Sequence, residues 1–429
     1  MKLIVFEDQT YENLFPLTYL RPIFELRCGA TTLLEKIVHA AGADSAACFV
    51  RDWMAESYAE KTDSPVNDLD QLEGDVLLVN GGLLADGAVD LSGLGEDRAV
   101  TAGDALVAAR VSADTLAEAR DGASGENAAE TFEAILAALC EKLSADEAEP
   151  TMIDAPWLLI RHNVAMLEKD FERLYAGRAG VHGDLHETSC VVGDPDRLYV
   201  AESASVGPMV SIDVTDGPIV LEDGVKVLPH TRIEGPTYVG PDCQLHGGKI
   251  REGCSFGPAC RVGGEVECTI MQGRSNKYHD GFLGHSYLGE WVNLGAMTTN
   301  SDLKNDYTGV SVYFKDELVD TGERFLGSFI GDHTKTSIGT LLNTGTIIGV
   351  MSNLVFNGAL MPKEIPSFCW MINDRPTRGL GFKNMLFTAR AAMKRRGLDF
   401  SPADERLLAH VRDMVKPKLR EAIRKAFKR

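Results

Sequence analysis

Two histidines are the first candidates for chemistry, because His279 and His285 lie six residues apart in a glycine-rich run. An imidazole titrates near neutral pH, so either side chain could accept a proton during a reaction. Two neighbouring imidazoles also suit a zinc site, although a zinc ion held only by histidines needs three of them. A lone histidine is more often a solvated or structurally bonded residue. The elements that carry these two residues must therefore be identified first.

From about residue 191 the sequence repeats every six residues, with one aliphatic side chain per repeat and often a glycine after it. The longest uninterrupted frame consists of Leu221, Val227, Ile233, Val239 and Leu245. This period is typical of a triangular parallel β-helix, in which each repeat forms a short strand and a turn and the aliphatic side chain faces the axis. The alternative is a glycine-rich β-sandwich with accidental spacing. The repeat predicts a β-helix over residues 186–380.

The segment before the repeat, residues 1–185, combines short apolar runs with acidic, helix-like stretches. Residues 3–6 and 76–79 are strand candidates, and residues 128–143 are a helix candidate. Strands that alternate with helices predict a layered α/β domain.

The segment after the repeat, residues 381–429, is predicted to be a basic helical tail. Residues 383–429 carry 14 basic and five acidic side chains, although the whole chain has a net charge of −20. Ser401, Pro402 and Asp404 suit the first positions of a helix, and apolar residues recur every four residues from Val411 to Phe427. We expect this helix to pack on an acidic neighbour; binding of RNA or of a membrane is the alternative.

The composition excludes several classes of protein. With 44% hydrophobic and 25% charged residues the chain is an ordinary globular protein, and its net charge disfavours nucleic acids and anionic membranes as partners. Nine cysteines without a C-x-x-C pair, and a start without a signal peptide, predict a cytoplasmic location. No apolar run approaches the ~18 residues of a membrane span.

The run from residue 276 to residue 305 contains the sequences HDGFLGHSYLG and WVNLGA, followed by TNSDLKN. It resembles the bacterial bifunctional enzymes that make UDP-N-acetylglucosamine, in particular a divergent branch seen in Bacteroidetes-like bacteria. The resemblance implies a nucleotidyltransferase domain followed by a left-handed β-helix that transfers acetyl from acetyl-CoA to glucosamine 1-phosphate. It also implies a homotrimer whose sites are shared between neighbouring subunits.

Individual residues acquire roles through this resemblance. His279 corresponds to the catalytic base, and His285 is the competing candidate or a helper. Arg251 corresponds to an arginine that binds the sugar phosphate, which suits the bidentate geometry of a guanidinium. Asn293 corresponds to a sugar-binding asparagine, and the main chain of Ala296 to a group that faces the thioester.

The β-helix also departs from the family's pattern. A phosphate-binding lysine is missing two residues after Glu267, and Lys277 and Lys304 are candidates to replace it by charge alone. Met297 stands where the family has a glycine, and Phe282 replaces a tyrosine that touches the substrate. These changes leave the exact sugar and acyl group open.

The N-terminal segment LFPLTYLRP, residues 14–22, looks like the R-x-x-P-L-T segment of sugar nucleotidyltransferases. Arg21 could meet a nucleotide phosphate, and Asn163 resembles a metal-contacting residue for Mg²⁺. However, the glycine-rich phosphate loop is replaced by the acidic residues 7–13, and the N-G-D metal motif ends in Gly82. We therefore expect weak or no turnover of UTP, and the alternative is an active site that another acid completes.

The sequence thus predicts an N-acetyltransferase of amino-sugar nucleotide synthesis with a nucleotidyltransferase-like domain of open activity. One rival function is a zinc hydratase of the carbonic anhydrase type on a β-helix, which requires three converging imidazoles. The other rival is a non-catalytic scaffold that binds sugar nucleotides, which the altered phosphate loop favours.

Overall fold

The computed structural model of the protein describes residues 1–427. Residues 2–174 form an α/β domain around a six-stranded sheet. In spatial order its strands are Ala47–Phe49, Lys2–Phe6, Val76–Asn80, Ala105–Val111, Arg98–Ala102 and Ser144–Glu147. The first three are parallel, and Ala105–Val111 runs antiparallel to both of its neighbours. A separate small ribbon pairs Arg27–Cys28 with Thr31–Thr32.

Five helices accompany this sheet: α1 (Leu33–Ala40), α2 (Asp52–Ala59), α3 (Ala113–Arg120), α4 (Ala128–Lys142) and α5 (Pro156–Leu174). The central strands are continuously apolar because both of their faces are covered. Ile4 and Leu78 point into a core with α3 and α4, whereas Val5 and Val79 point into a second core that continues into the β-helix. The α/β domain and the β-helix therefore share one apolar interior.

The six-residue repeat forms a parallel β-helix with three faces. The first face has ten strands: Gly180–Val181, Leu198–Val200, Ile219–Leu221, Thr237–Val239, Cys254–Phe256, Ile270–Gly273, Tyr287–Glu290, Ser328–Ile330, Thr346–Ile348 and Glu364–Ile365. Leu221, Val239 and Phe256 pair directly across three coils and are fully buried, as the repeat predicts for side chains that face the axis.

The other two faces carry shorter strands. The second face is formed by Asp184–Leu185, Ser205–Val206, Lys226–Val227, Asn276–Lys277, Lys335–Thr336, Asn353–Leu354 and Trp370–Ile372. The third face is formed by Cys190–Val192, Ser211–Asp213, Arg232–Glu234, Phe282–Gly284, Thr299–Asn300 and Leu341–Leu342. Two longer strands, Gln244–Ile250 and Arg261–Glu267, contribute to both faces.

Residues 302–327 form an insertion that leaves the regular coils. It contains the antiparallel hairpin Ser311–Phe314 and Glu317–Asp320. The Phe314 ring packs edge-on against Trp157 of α5 with 5.2 Å between centroids, and Glu323 pairs with Arg161 of α5 at 2.5 Å. The insertion therefore connects the β-helix to the α/β domain.

The C-terminal tail closes the molecule. Strand Trp370–Ile372 turns back and pairs antiparallel with Arg375–Thr377, and helices α6 (Phe382–Lys394) and α7 (Pro402–Ala426) follow. Ser401 and Asp404 form the N-terminal capping box of α7, as the sequence predicts. Arg406 of α7 pairs with Glu56 of α2, and Lys418 lies 2.6 Å from Glu364. The tail thus packs on acidic groups of both domains; its Lys428 and Arg429 lie outside the described residues.

This architecture confirms the predicted fold class of an α/β domain, a parallel β-helix and a C-terminal helical tail. Within residues 1–427, every helix is too short or too polar to cross a membrane.

Candidate active site

Each of the three corners of the β-helix carries its own set of side chains. The histidine–aspartate corner, between the third and first faces, carries Arg251, Glu267, Cys268, His285 and Asp302. The open corner, between the second and third faces, carries Tyr278, His279, Ala296, Met297 and Ile338. The junction corner, between the first and second faces, carries Arg274, Glu290, Trp291, Asp332 and His333 and faces the rest of the molecule.

At the histidine–aspartate corner, successive coils bring together side chains that lie 16 to 18 residues apart in sequence. The guanidinium of Arg251 lies 2.5 Å from the carboxylate of Glu267. One coil later, Nδ1 of His285 lies 2.8 Å from a carboxylate oxygen of Asp302. The ring of Phe325, from the insertion, stacks on His285 with 5.3 Å between centroids. The arrangement combines an anion-binding group with an oriented imidazole.

Electrostatics at this corner favour a charged imidazole. Burial alone would lower the pKa of His285, but its hydrogen bonds to Asp302 and Cys268 raise it to about 10. Burial raises the pKa of Glu267, and Arg251 acts in the opposite direction. The resting corner therefore holds an imidazolium between acidic groups, and His285 must lose its proton before it can act as a base.

A metal would find a mixed set of groups at the same corner. Ligand atoms of Glu267, Cys268 and His285 all lie within 4.8 Å of one another. This is the candidate metal set among residues 1–427, and it contains one imidazole. The zinc hydratase alternative requires three imidazoles. His279 does not join it, because that residue lies at the open corner.

His279, the residue that the sequence motif assigns as the base, is exposed at the open corner. Its ring lies edge-on to Tyr278 at 4.9 Å. In the following coil the carbonyl of Ala296 accepts a hydrogen bond from the Gly339 N–H at 2.8 Å. His279 and Ala296 thus share one corner, while Arg251 and His285 share another.

Lys277 takes an unexpected position inside the β-helix. It pairs with Val262 of the preceding coil, a position that faces the axis, and it is only 1% exposed. Its ammonium donates hydrogen bonds to the carbonyls of Gly263, at 3.1 Å, and His279, at 2.6 Å. Burial lowers the pKa of Lys277 to about 8. In this structure Lys277 holds the turn that carries His279.

The other two predicted substrate-binding residues lie apart from both histidines. Asn293 is exposed on the second face and accepts a hydrogen bond from Asn276, which is itself bonded to Arg396 of the tail. Lys304 lies in the insertion and bonds to Thr308 and to the carbonyl of Gly309 within the same loop. The hydrogen bonds of these two side chains therefore go to residues outside the histidine–aspartate corner.

The predicted nucleotide and metal residues are used in contacts between domains. Arg21 is 7% exposed. Its guanidinium donates a hydrogen bond to a carboxylate oxygen of Asp332 at 3.1 Å and lies 3.4 Å from a carboxylate oxygen of Glu290, and both partners belong to the β-helix. The amide of Asn163 accepts a hydrogen bond from the Gly29 N–H at 2.7 Å and donates one to the Gly253 carbonyl at 2.9 Å. Asn163 is 1% exposed.

The crevice at the carboxyl ends of the parallel strands Lys2–Phe6 and Ala47–Phe49, where α/β sheets bind nucleotides, contains a small cavity. Its cavity measures about 30 Å³ and is bordered by the acidic side chains Glu7, Asp8 and Glu133. Glu7 is paired with Arg51 at 2.6 Å, and Asp8 accepts a hydrogen bond from Asn80 at 2.8 Å. The residues present therefore do not fit a magnesium ion with a bound triphosphate.

Comparison with known proteins places the α/β domain. Residues 3–179 match the family described as sugar nucleotidyl transferase. The match covers 177 of the 429 residues, so it concerns the α/β domain and not the β-helix or the tail.

Relatives with two activities match as well. The chain is 33% identical over 108 residues to a bifunctional sugar-1-phosphate nucleotidylyltransferase/acetyltransferase of Sulfurisphaera tokodaii, covering 24% of this chain and 26% of that protein. It is 25% identical over 207 residues to the bifunctional protein GlmU of Nitrosospira multiformis, covering 43% of this chain and 42% of that protein. It is 26% identical over 254 residues to the GlmU protein of Cupriavidus pinatubonensis, covering 54% of this chain and 50% of that protein. These matches confirm the predicted resemblance, and the chain spans half or less of the length of each of these three relatives.

A solved structure of a UDP-N-acetylglucosamine acyltransferase aligns over 56% of this chain and 92% of its own, at 15% identity and a TM-score of 0.23. A second structure, of an Arabidopsis UDP-N-acetylglucosamine acyltransferase, aligns over 57% of this chain and 96% of its own, at 13% identity and also with a TM-score of 0.23. Values this low bear on neither function nor substrate.

Sequence reasoning missed Asp302, Cys268 and Phe325 as partners of His285. Asp302 lies 17 residues after His285, which is one coil of the β-helix, so the repeat itself held the signal. Phe325 comes from the insertion, and no repeat predicts its place.

Proposed function

We propose that the chain is an acetyltransferase of amino-sugar nucleotide synthesis, which moves the acetyl group of acetyl-CoA to the amine of glucosamine 1-phosphate. The observation that carries this proposal is the histidine–aspartate corner, where Arg251, Glu267, His285 and Asp302 meet. This corner offers a cation for the phosphate, an acid for the sugar ammonium and an imidazole for its proton. One relative named above is described as a sugar-1-phosphate nucleotidylyltransferase/acetyltransferase, which supports acetyl transfer in the chemistry of sugar 1-phosphates.

Phosphate recognition is proposed for Arg251. Its guanidinium pairs with Glu267 at 2.5 Å and more loosely with Glu252 at 3.7 Å, and it is 40% exposed, so a phosphomonoester can approach it from solvent. Charge-assisted hydrogen bonds from a guanidinium to a phosphate are short and directional. When the phosphate replaces Glu267 as the partner of Arg251, the carboxylate of Glu267 becomes free to pair with the substrate ammonium.

The proton of the attacking amine is proposed to go to His285. The sugar ammonium first releases one proton to solvent. The neutral amine nitrogen then attacks the thioester carbon, the new C–N bond forms, and the nitrogen gives its next proton to His285. The C–S bond breaks, and the CoA thiolate that leaves takes this proton back from His285. Asp302 holds the ring through Nδ1 and stabilises the imidazolium that forms. The approach of a cationic amine favours the neutral form of His285, which must be present before attack.

His279 remains the sequence-based prediction for the base, but the geometry favours His285. The ring of His279 is exposed, and the hydrogen bonds at its turn go to its main-chain carbonyl, whereas His285 has a carboxylate partner at 2.8 Å. A productive base needs a fixed ring orientation. Within one subunit, His279 is better placed to contact a bound donor than to orient the acceptor.

The predicted homotrimer gives the open corner a role. Tyr278, Met297 and Ile338 are 43%, 55% and 73% exposed there, an apolar stripe that a neighbouring subunit would cover. We propose that the open corner of one subunit, with His279 and the main chain of Ala296, lies opposite the histidine–aspartate corner of the next. Acetyl-CoA would then bind between the two corners.

The proposed location is the cytoplasm, because all nine cysteines are free thiols in the structure, which suits a reducing compartment. For the nucleotidyl transferase domain we propose weak or absent turnover of UTP. The small cavity in its crevice supports this proposal, as do the existing bonds of Glu7 to Arg51 and of Asp8 to Asn80, which leave Mg²⁺ no fitted site.

The deciding assay incubates the purified protein with acetyl-CoA and glucosamine 1-phosphate and detects the N-acetylated product by mass spectrometry, before and after addition of UTP and Mg²⁺. We expect acetylation without UDP-sugar formation. No acetylated product with any amino-sugar phosphate would refute the proposal.

Subunit mixing tests the shared site. His285→Ala and Ala296→Trp should each be inactive alone, and co-refolded mixtures should recover part of the activity, because one interface then combines two intact corners. Mixtures as inactive as the parents would place the whole site within one subunit.

A further inference from the structure

We propose that the cavity at the junction corner is a second binding site, specific for a cationic, hydroxyl-rich small molecule of the amino-sugar class that carries no phosphate. The cavity measures about 450 Å³ and lies between the α/β domain, the β-helix and the C-terminal tail. This volume suits a monosaccharide. The site is separate from the histidine–aspartate corner, and none of its lining residues takes part in the proposed acetyl transfer.

The walls of the cavity consist largely of planar hydrogen-bonding groups. Arg21 and Arg274 both pair with Glu290, and Arg21 also pairs with Asp332. Burial alone would raise the pKa of Glu290, but these two arginines hold it below its usual value. Trp291 stacks on the His333 ring with 6.1 Å between centroids. Such groups match sugar hydroxyls, which donate and accept hydrogen bonds at the same atom.

The charge balance disfavours an anionic ligand. Three cations line the cavity, Arg21, Lys61 and Arg274, against six carboxyl groups: Glu25, Glu60, Glu290, Asp332, Asp399 and Asp404. Each of the three cations already has a carboxylate partner, since Lys61 pairs with Asp404 at 2.7 Å. A phosphate would therefore find no free cation and several acids, whereas an ammonium would find carboxyl groups without a counter-charge.

Glu25 is the acid best placed to receive that ammonium. Its carboxyl accepts a hydrogen bond from the Tyr58 hydroxyl at 2.6 Å, and burial raises its pKa. Among the described residues no cation pairs with it. A bound ammonium would supply the missing partner.

His333 gives a second, independent indication of a ligand. It is 6% exposed and lines the cavity, and its Nδ1 atom is buried with no hydrogen-bond partner among residues 1–427. Burial and the nearby cations Lys335, Lys61 and Arg21 hold its pKa well below the usual value, so the ring is neutral. A buried polar atom without a partner is destabilising unless a ligand or water satisfies it.

The experiment measures binding of glucosamine, N-acetylglucosamine and glucosamine 1-phosphate by calorimetry in the absence of acetyl-CoA. We expect glucosamine to bind, N-acetylglucosamine to bind more weakly because it lacks the charge, and Glu25→Gln to weaken glucosamine binding several-fold. Asp413→Asn removes an exposed acid that does not line the cavity, and as the control it should leave binding unchanged.

A blocking variant separates this site from the acetyl-transfer site. Leu398→Trp fills the rim of the cavity, and Leu360→Trp is its exposed control on the β-helix. We expect Leu398→Trp to abolish glucosamine binding while acetylation of glucosamine 1-phosphate stays unchanged. The proposal is overturned if glucosamine gives no heat at millimolar concentration, or if its binding survives Leu398→Trp and disappears in His285→Ala. In the first case water alone fills the cavity, and in the second the sugar binds at the histidine–aspartate corner.

Discussion

The crevice of the α/β domain and the histidine–aspartate corner of the β-helix both contain paired charged side chains, and they differ in what surrounds these groups. In the crevice, Glu7 is closed off by its pair with Arg51 in a space of about 30 Å³. At the corner, Arg251 and His285 are paired but remain partly accessible to solvent. The same residue types are structural in the first place and available for a substrate in the second.

The difference follows from how each fold positions side chains. In the β-helix, consecutive coils place equivalent residues directly above one another, so a corner can collect polar groups without loss of the apolar interior. In the α/β domain, a nucleotide must be held by the loops after the strands, and here those loops are acidic and self-bonded.

The largest expected effect comes from removing the proposed base. His285→Ala should lower kcat/KM for acetyl transfer by ~10²- to 10⁴-fold, the usual contribution of a general base. His279→Ala should lower it less than tenfold. Both are measured by thiol release from acetyl-CoA, with melting temperature and light scattering as controls for folding and assembly. The reverse ranking would return the base to His279, as the sequence motif has it.

A smaller effect is expected for Arg251. Arg251→Gln should raise the KM for glucosamine 1-phosphate about tenfold with little change in kcat, because hydrogen bonds to a charged group contribute ~1.5 to 3 kcal/mol. Arg261→Gln is the control, since that side chain bonds only to the carbonyls of Asp242 and Cys260. An unchanged KM would leave Arg251 as a structural partner of Glu267, like Arg51 in the crevice.

The third prediction concerns pH. The pKa of His285 is raised from about 6.5 in the unfolded chain to about 10 in the fold, so its ion pair with Asp302 stabilises the protein fully below pH 6.5 and less as pH rises towards 10. Asp302→Asn should therefore lower the melting temperature at pH 6 and have a much smaller effect near pH 10. It should also move the rising limb of the activity profile to lower pH. A pH-independent loss of stability would contradict the pairing.

The smallest signal is expected from the crevice. The wild-type protein should release little or no UTP from UDP-N-acetylglucosamine, pyrophosphate and Mg²⁺, because Gly82 supplies no carboxylate and Asn163 is bonded to main-chain groups. The assay follows UTP by chromatography. Turnover that is sensitive to Asp8→Asn would show that another acid completes the metal site and would end the contrast with the corner.

The sequence was sufficient for the fold because its period is a property of the chain itself. The six-residue spacing places Leu221 and Val239 at the axis, and this placement does not depend on the conformation of the loops. The site was only partly predictable. Six residues make one strand and one turn, so the spacing places His279 and His285 at successive corners, but it does not tell which of these corners also carries Arg251 and a carboxylate partner.

Two further features needed the three-dimensional structure. Lys277 occupies an axial position, where its long side chain reaches the carbonyls of the corner, and sequence reasoning took its charge as a sign of substrate binding. Arg21 finds its partner Asp332 at a distance of 311 residues along the chain. Contacts between domains at such separation leave no local pattern in the sequence.

The antiparallel return of Trp370–Ile372 onto Arg375–Thr377 has a consequence for solubility. The last coil of a parallel β-helix exposes a row of unpaired main-chain N–H and C=O groups, onto which another chain could add in register and extend the stack as a fibre. On the second face this edge is already occupied by a strand of opposite direction, and α7 packs beside it. The tail thus ends the stack, and the protein can keep a long, regular β-structure without polymerising end to end.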